Sequence, residues 1–145
     1  MKLSQEESNK KRKKIYENSP ILFQHVGDED GGRRLPIFYG LECGDGWLDI
    51  IDEASKKIES YSNKKISEDS TFKGFVAHQV KEKFGGLRFY VSKHDAVIDE
   101  IIIEAEKACA KTCETCGNPG TVRRGGWLKN RCDDCENERA TKQDY

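Results

Sequence analysis

Residues 112–117, TCETCG, and residues 132–135, CDDC, decide how the C-terminal part of this chain folds, because each contains a Cys-x-x-Cys pair. Fifteen residues separate the two pairs. A tight turn lets both thiolates of a pair converge on one side of a metal ion, and Gly117 supplies the permissive backbone that such a turn favours. Two pairs at this separation are typical of a zinc site of the zinc-ribbon or treble-clef type. We therefore predict one structural Zn²⁺ per chain, held by Cys113, Cys116, Cys132 and Cys135.

The predicted site is closed, because four protein ligands leave no open position for the water that a catalytic zinc ion needs. Four thiolates and one Zn²⁺ carry a net charge of about −2. Cations between the two pairs could offset this charge: Arg123, Arg124, Lys129 and Arg131. A redox-active dithiol pair and an iron–sulfur cluster are the alternative interpretations of the cysteine pattern.

An amphipathic helix is predicted directly before the first cysteine pair, from Asp95 to about residue 110. Its apolar stripe ends at Cys109, one helical turn before Cys113. We interpret Cys109 as a small buried residue, with a spare metal ligand as the alternative. Cys43, which has no partner at ligand spacing, is interpreted as a packed or semi-exposed thiol.

Two β-prone runs precede this helix, at residues 75–83 and 87–91. Gly85-Gly86 lies between them, so they predict an antiparallel hairpin with a glycine turn. Alternate residues of the second strand then share a face, with apolar side chains on one side and Arg88 and Tyr90 on the other.

Another amphipathic helix is predicted after the glycine-rich turn at residues 44–46, since apolar residues recur at helical spacing from Trp47 to Tyr61. We expect Asp45 to cap this helix and Trp47 to anchor it. Residues 62–70, SNKKISEDS, are predicted to form a loop from their composition.

The remaining segments complete the predicted architecture. The polar N-terminus ends in KKRKK at residues 10–14, and we expect a solvated arm or frayed helix there, with a nucleic-acid contact as the alternative. Residues 36–42 suit a short strand or extended segment. A short helix with an acidic first turn is expected at residues 133–141.

These elements predict an α+β fold, in which a hairpin or small sheet packs with two main helices and a C-terminal four-cysteine module. The predicted divisions are an N-terminal arm and loop at 1–34, an α+β core at 35–110, and the zinc module with its tail at 111–145.

The composition of the chain limits its expected partners and its expected cellular compartment. The 145-residue chain has a net charge of −1, so no global field steers it toward nucleic acid, and any basic surface must be local. No stretch approaches the ~18 apolar residues of a membrane helix. The N-terminus lacks the apolar stretch of a secretory signal, so we expect a cytoplasmic protein without membrane contact. Six cysteines in a reducing compartment favour metal ligation over disulfides.

The loop between the cysteine pairs is a candidate contact for a partner or nucleic acid. Cations there could meet phosphates while the indole stacks on a base. The candidate residues are Arg123, Arg124, Trp127, Lys129 and Arg131. The alternative is that the cations balance the zinc thiolates and that Trp127 covers the metal site.

The hairpin is the second candidate surface, where a ligand or anion could sit beside exposed glycine amides. Its candidate residues are Lys81, Lys83, Arg88 and Tyr90. An ordinary solvated sheet face is the alternative. Asp45 and Trp47 could also line a pocket.

No catalytic set is apparent. His25, His78 and His94 are scattered, and no Ser-His-Asp order, phosphate loop or nucleotide fingerprint occurs. No histidine follows His94, whereas nucleases of the HNH type need catalytic histidines near their metal finger. We therefore predict a protein that is not an enzyme.

Several strings occur together in this chain: ECGDGW at residues 42–47, VKEKFGGLRFY at 80–90, TCETCGNPG at 112–120, and then GW and CDDC. In this combination the chain resembles, over roughly residues 35–138, a family of small bacteriophage and prophage proteins. The resemblance implies a phage-encoded protein that acts in the bacterial cytosol, and it carries over no catalytic residue.

Three functions follow as expectations. The first is an accessory protein that binds a host protein and inhibits, for example, a defence or regulatory system. The second is a zinc-dependent nucleic-acid-binding protein that uses the loop at residues 121–131. The third is a small-ligand binder that uses the hairpin and the GDGW turn. The oligomeric state is left open.

Overall fold

Helices and short strands alternate along the chain, and the computed structural model, which describes residues 2–143, has the predicted α+β class. The helices are α1 (Gln5–Asn18), α2 (Leu48–Glu68), α3 (Ala96–Ala110) and α4 (Asp133–Gln143). The strands are β1 (Glu29–Asp30), β2 (Arg33–Arg34), β3 (Leu41–Glu42), β4 (Ala77–Lys83), β5 (Gly86–Val91), β6 (Thr121–Arg123) and β7 (Lys129–Arg131). A 3-10 turn, Asp45–Trp47, leads into α2.

The central sheet has the order β3-β4-β5. Strands β4 and β5 form the predicted antiparallel hairpin, and β3 pairs with β4 in parallel. The hairpin turn consists of Phe84 and Gly85, whose φ angles are 55° and 82°. Gly86 is already part of β5 and lies opposite Lys83. The turn therefore begins one residue earlier than the expected Gly85-Gly86, since a two-residue turn of this type takes left-handed backbone at both central positions.

One hydrophobic core joins the sheet to both predicted main helices. Helix α3 packs against β5, and α2 packs against α3 and α1. Burial of each large apolar side chain contributes about 1.5–3 kcal/mol. The core residues at 0–1% exposure include Leu22, Trp47, Leu48, Ile51, Ile58, Val80, Leu87 and Ile98.

The N-terminal segment is a capped helix rather than a solvated arm. The Ser4 hydroxyl accepts a hydrogen bond from the Glu7 amide, and the Glu7 carboxylate accepts one from the Ser4 amide. This reciprocal capping box begins α1, and the buried side chain of Ile15 attaches the helix to the core.

The prediction of a loop at residues 62–70 is wrong for residues 62–68, because α2 continues to Glu68. Ser62 is fully buried, and its hydroxyl accepts a hydrogen bond from the Phe75 amide at 2.9 Å. One turn later, Lys65 places its ammonium 5.4 Å from the ring centroid of Tyr61. The polar composition of this segment hid a helix whose contacts are made by small or amphipathic residues.

The strand predicted at residues 36–42 is confirmed only at Leu41–Glu42. Before it the chain turns twice: the Phe38 amide donates to the Leu35 carbonyl, and the Gly40 amide to the Ile37 carbonyl, both at 2.8 Å. Backbone groups used in such turns are not available for sheet pairing.

The helix predicted from Asp95 is α3, which starts at Ala96, and Asp95 is its N-cap, whose carboxylate accepts a hydrogen bond from the Ile98 amide. The expected closing helix is α4, with acidic residues in its first turn. Among residues 2–143, no helix combines the length and apolar character needed to cross a membrane.

Candidate metal centre

The four predicted cysteines form one cluster. Their sulfur atoms all lie within 4.8 Å of one another, and all four are free thiols rather than disulfides. Cys113, Cys132 and Cys135 are buried, and Cys116 is half-buried. Four thiolate donors at such separations could bind one metal ion.

The first cysteine pair is shaped by the chain that follows α3. The Cys113 amide donates to the Asn118 carbonyl at 2.7 Å, and the Gly117 amide donates back to the Cys113 carbonyl at 2.9 Å. Gly117 has a φ of 84°, which an L side chain rarely adopts, so glycine suits this turn as predicted. The turn directs both thiols of the pair toward the same point.

The second pair joins the end of β7 to the start of α4. The Cys135 amide lies 3.4 Å from the Cys132 sulfur, and the Glu136 amide donates to the Cys132 carbonyl at 3.0 Å. The amino end of a helix carries positive partial charge, so it favours anionic sulfur.

Hydrogen bonding outweighs burial at the Cys113 thiol. Burial disfavours the thiolate of Cys113, but backbone amides of Cys132, Cys116 and Thr115 outweigh it and lower the pKa of Cys113 to about 7. Burial raises the pKa values of Cys116 and Cys135. A bound cation would take the place of the thiol protons.

The cations between the cysteine pairs were expected to offset the thiolate charge, but three of them form ion pairs with carboxylates. Arg123 binds Asp133 at 2.9 Å. Arg131 lies 3.7 Å from Glu136. Lys129 lies 2.6 Å from Glu82 of the hairpin.

Lys2, which was not singled out from the sequence, also interacts electrostatically with the cysteine cluster. A hydrogen bond to Glu138 raises the pKa of Lys2, desolvation opposes this rise, and the thiolates of Cys135 and Cys116 add to it. More than a hundred residues separate Lys2 from the cysteines in the sequence, so no local pattern could have indicated the proximity.

The GDGW turn packs directly on the first cysteine pair. The Gly46 amide donates to the Glu114 carbonyl at 2.7 Å, and the Trp47 indole nitrogen donates to the Thr112 carbonyl at 2.9 Å. A Cβ atom at Gly46 would lie 2.1 Å from the Cys113 carbonyl oxygen. We call the C-terminal four-cysteine module the metal module. The GDGW turn therefore supports the metal module, and this module fills the space that a ligand at Trp47 would need.

Asp45 does not cap α2, contrary to expectation. Its carboxylate instead accepts hydrogen bonds from Ser8 at 2.5 Å and from Arg12 at 3.0 Å. Arg12 also donates to the carbonyls of Leu41 and Cys43. One member of the basic run therefore faces inward and ties α1 to the GDGW turn.

The two cysteines outside the cluster are packed into the protein. Burial raises the pKa of Cys43 to about 12 although Arg12 opposes this shift. Cys109 is fully buried in the hydrophobic core, and burial raises its pKa as well. Both match their predicted roles as packed thiols.

Lys129 holds two buried carboxylates at the junction between hairpin and metal module. Its ammonium lies 2.6 Å from Glu82 and 3.8 Å from Glu114. Glu82 also accepts from the Gly85 amide at 2.8 Å, and Glu114 accepts from the Gly44 amide at 2.7 Å. This network is built from the predicted contact residue Lys129, which is therefore mainly a structural residue.

Trp127 is 84% exposed, so the interpretation that it covers the metal site is wrong. It lines a surface hollow with Phe84, Gly126 and Leu128. Phe84 at the hairpin tip is 67% exposed and was not singled out from the sequence. We call Phe84, Trp127 and Leu128 the aromatic patch.

A second hollow adjoins the first and shares Gly126 and Trp127 with it. It is lined by Trp127, by Glu136 and by four arginines, which are Arg123, Arg124, Arg131 and Arg139. We call these four arginines with Glu136 the arginine hollow. Arg139 was not predicted as a contact residue.

The predicted hairpin residues lie on the outer face of the sheet. Lys81 is opposite Arg88, and Tyr90 is opposite Gln79, so their side chains share a face. The ammonium of Lys83 lies 5.5 Å from the ring centroid of Phe84. Arg88 and Tyr90 also line a hollow between β5 and α3.

Three groups of side chains thus lie on the metal module and the neighbouring hairpin tip: the cysteine cluster, the aromatic patch and the arginine hollow. Comparison of the chain with protein-family models, with curated proteins and with solved structures finds no match.

Proposed function

We propose that this protein is a binding module in which a structural zinc site holds the aromatic patch toward a protein partner. The observation that carries this proposal is the 84% exposure of Trp127 beside Phe84, which is 67% exposed, around one hollow. Clustered exposed aromatic residues are typical of interaction sites, and Trp is among the residues that contribute most to binding energy there.

Zinc is the ion that we propose for the cysteine cluster. Thiolates are soft ligands that suit zinc, and a closed set of four is typical of a structural site. The spacing of the pairs and the tight turn at Gly117 support a site of the zinc-ribbon or treble-clef type.

The metal would position the patch because the loop that carries Trp127 and Leu128 lies between the two cysteine pairs. Strands β6 and β7 form an antiparallel ribbon on either side of this loop. The ribbon contacts the hairpin tip, since a Cβ atom at Gly85 would lie 3.0 Å from the side chain of Val122. Loss of the ion would therefore release one side of the patch.

Charge pairing favours a protein partner over nucleic acid. Of the predicted basic contacts, Arg123, Lys129 and Arg131 already neutralise carboxylates of this chain. Binding to a phosphate backbone depends on cations that can replace counterions, and these three are less available for it. The bacterial setting implied by the family resemblance makes a cytosolic host protein the partner that we propose.

Affinity capture from bacterial lysate tests the proposal. The immobilised wild-type protein should retain a specific protein, and Phe84→Ala and Trp127→Ala should each lose it. Ile103→Ala is the matched control, because Ile103 is 48% exposed on α3, outside the patch, and should leave capture unchanged. The same retained proteins for wild type and for both patch variants would refute the proposal.

Nuclease treatment and a series of salt concentrations distinguish binding to a protein partner from binding to nucleic acid. Capture through the patch should survive nuclease treatment. Binding that disappears with nuclease and falls steeply with rising salt would instead assign the loop to nucleic acid.

A further inference from the structure

The aromatic patch and the arginine hollow are neighbours, because Trp127 lines both. Phe84 and Leu128 line one of these hollows with Trp127, and four arginines line the other. A single partner element that reaches Trp127 therefore meets apolar surface and positive charge together.

Four arginines and one carboxylate, that of Glu136, line the arginine hollow. Glu136 is shared by Arg131 at 3.7 Å and Arg139 at 2.6 Å. Asp133 binds Arg123, whose guanidinium also donates to the backbone carbonyl of Arg131. Arg123, Arg131 and Arg139 are therefore each in contact with a carboxylate of this chain.

The fourth arginine of the hollow, Arg124, is exposed and has no ion-pair partner in the part of the chain that the structure describes. A guanidinium in this state can bind an incoming carboxylate through two parallel hydrogen bonds. The exposed acidic residues Asp133 and Asp134 at the start of α4 disfavour a continuous polyanion along the same surface. Separate carboxylates on a peptide avoid this repulsion.

We infer that the partner binds through an acidic segment that carries an apolar side chain. The apolar side chain enters the hollow formed by Phe84, Trp127 and Leu128, and a flanking carboxylate binds Arg124 in the arginine hollow. This inference rests on the proposed function and specifies the chemistry of the same site.

Selection from a random dodecapeptide library against the full-length, metal-loaded protein tests the inference. Enriched peptides should carry Asp or Glu beside an aromatic or leucine residue. Binding of an enriched peptide should weaken at least about tenfold in Arg124→Glu and in Trp127→Ser. A lack of enrichment for acidic residues, or no enrichment at all, would overturn the inference.

Two control variants distinguish the site from general effects of charge and surface hydrophobicity. Lys73→Glu makes the same reversal of charge at an exposed lysine in the loop before β4, and Ile103→Ser removes an exposed apolar side chain from α3. Both should bind the enriched peptide as the wild type does. Equal weakening in these controls, or tighter binding of an oligothymidine strand to the same residues, would also overturn the inference.

Lysate capture with the Arg124 and Trp127 variants distinguishes failure of this inference from failure of the proposed function. If lysate capture depends on Trp127 but not on Arg124, the protein-binding function stands and the acidic segment is refuted. If capture depends on neither residue, both proposals fail.

Discussion

Lys129 of β7 and Glu82 of β4 form an ion pair, with 2.6 Å between the ammonium nitrogen and a carboxylate oxygen, and this pair joins the metal module to the hairpin. The side chains are largely buried, at 9% exposure for Glu82 and 27% for Lys129. The same ammonium lies 3.8 Å from Glu114, which is next to the first cysteine of the cluster. One cation therefore holds two carboxylates in place at the base of the aromatic patch.

Replacement of this cation should destabilise the fold. Lys129→Met leaves Glu82 and Glu114 close together without a counter-charge, and we expect the free energy of unfolding to fall by about 2–3 kcal/mol. Urea denaturation measures the loss. Lys83→Met on the exposed face of the same hairpin should change stability by less than about 0.5 kcal/mol, and equal effects of the two variants would contradict the structural role of Lys129.

The close approach of the GDGW turn to the first cysteine pair predicts that Gly46 cannot be replaced. In Gly46→Ala the new methyl group would lie 2.1 Å from the Cys113 carbonyl oxygen, so the backbone at position 46 and the backbone at Cys113 must move apart. We expect a loss of at least about 3 kcal/mol or failure to fold. Gly86→Ala is the control, since its Cβ atom would meet its nearest neighbour at 3.5 Å. Similar thermal midpoints for the two variants would show that the turn does not pack as described.

Metal content tests the cysteine cluster directly. Purified protein should carry about one zinc ion per chain, and Cys113→Ser or Cys132→Ser should lose it. A strong chelator should lower the thermal midpoint of the wild-type protein, because metal binding contributes to folding. Cys43→Ala should keep its metal, since Cys43 lies outside the cluster. Metal-free protein that keeps its fold and thermal midpoint would contradict a structural ion.

The cap of α3 predicts a dependence of stability on pH. Burial opposes ionisation of Asp95, but hydrogen bonds from the Ile98 amide and the Tyr61 hydroxyl, with the charge of Lys65, outweigh burial and lower the pKa of Asp95. A carboxylate whose pKa is lowered on folding stabilises the fold above its unfolded pKa of about 3.9, and this contribution is lost as the pH falls through the folded value.

Asp95→Ala should therefore cost about 1 kcal/mol at neutral pH, and its difference from wild type should shrink below about pH 4. Urea denaturation of both proteins across this range measures the change. A difference that stays constant down to about pH 2 would show that the charge of Asp95 contributes nothing.

The elements that sequence reasoning identified correctly depend on short-range patterns. The spacing of the cysteine pairs, the apolar stripe after Asp95 and the glycine between two β-prone runs each indicate local geometry. The capping box of Ser4 and Glu7 is also a local signature, and its recognition would have predicted α1. The extension of α2 was harder to predict, because Ser62 is a polar residue that the fold buries, with a hydrogen bond from the Phe75 amide, thirteen residues away in the chain.

The sequence by itself determined the cysteine set, the hairpin and helix α3, because backbone turns and helical spacing are properties of neighbouring residues. Only the tertiary structure decided that Gly46 contacts the first cysteine pair, that Lys129 binds Glu82, and that Trp127 faces outward beside Phe84. Such contacts join residues far apart in the chain. Whether a side chain is buried, paired or exposed depends on what the rest of the fold brings against it.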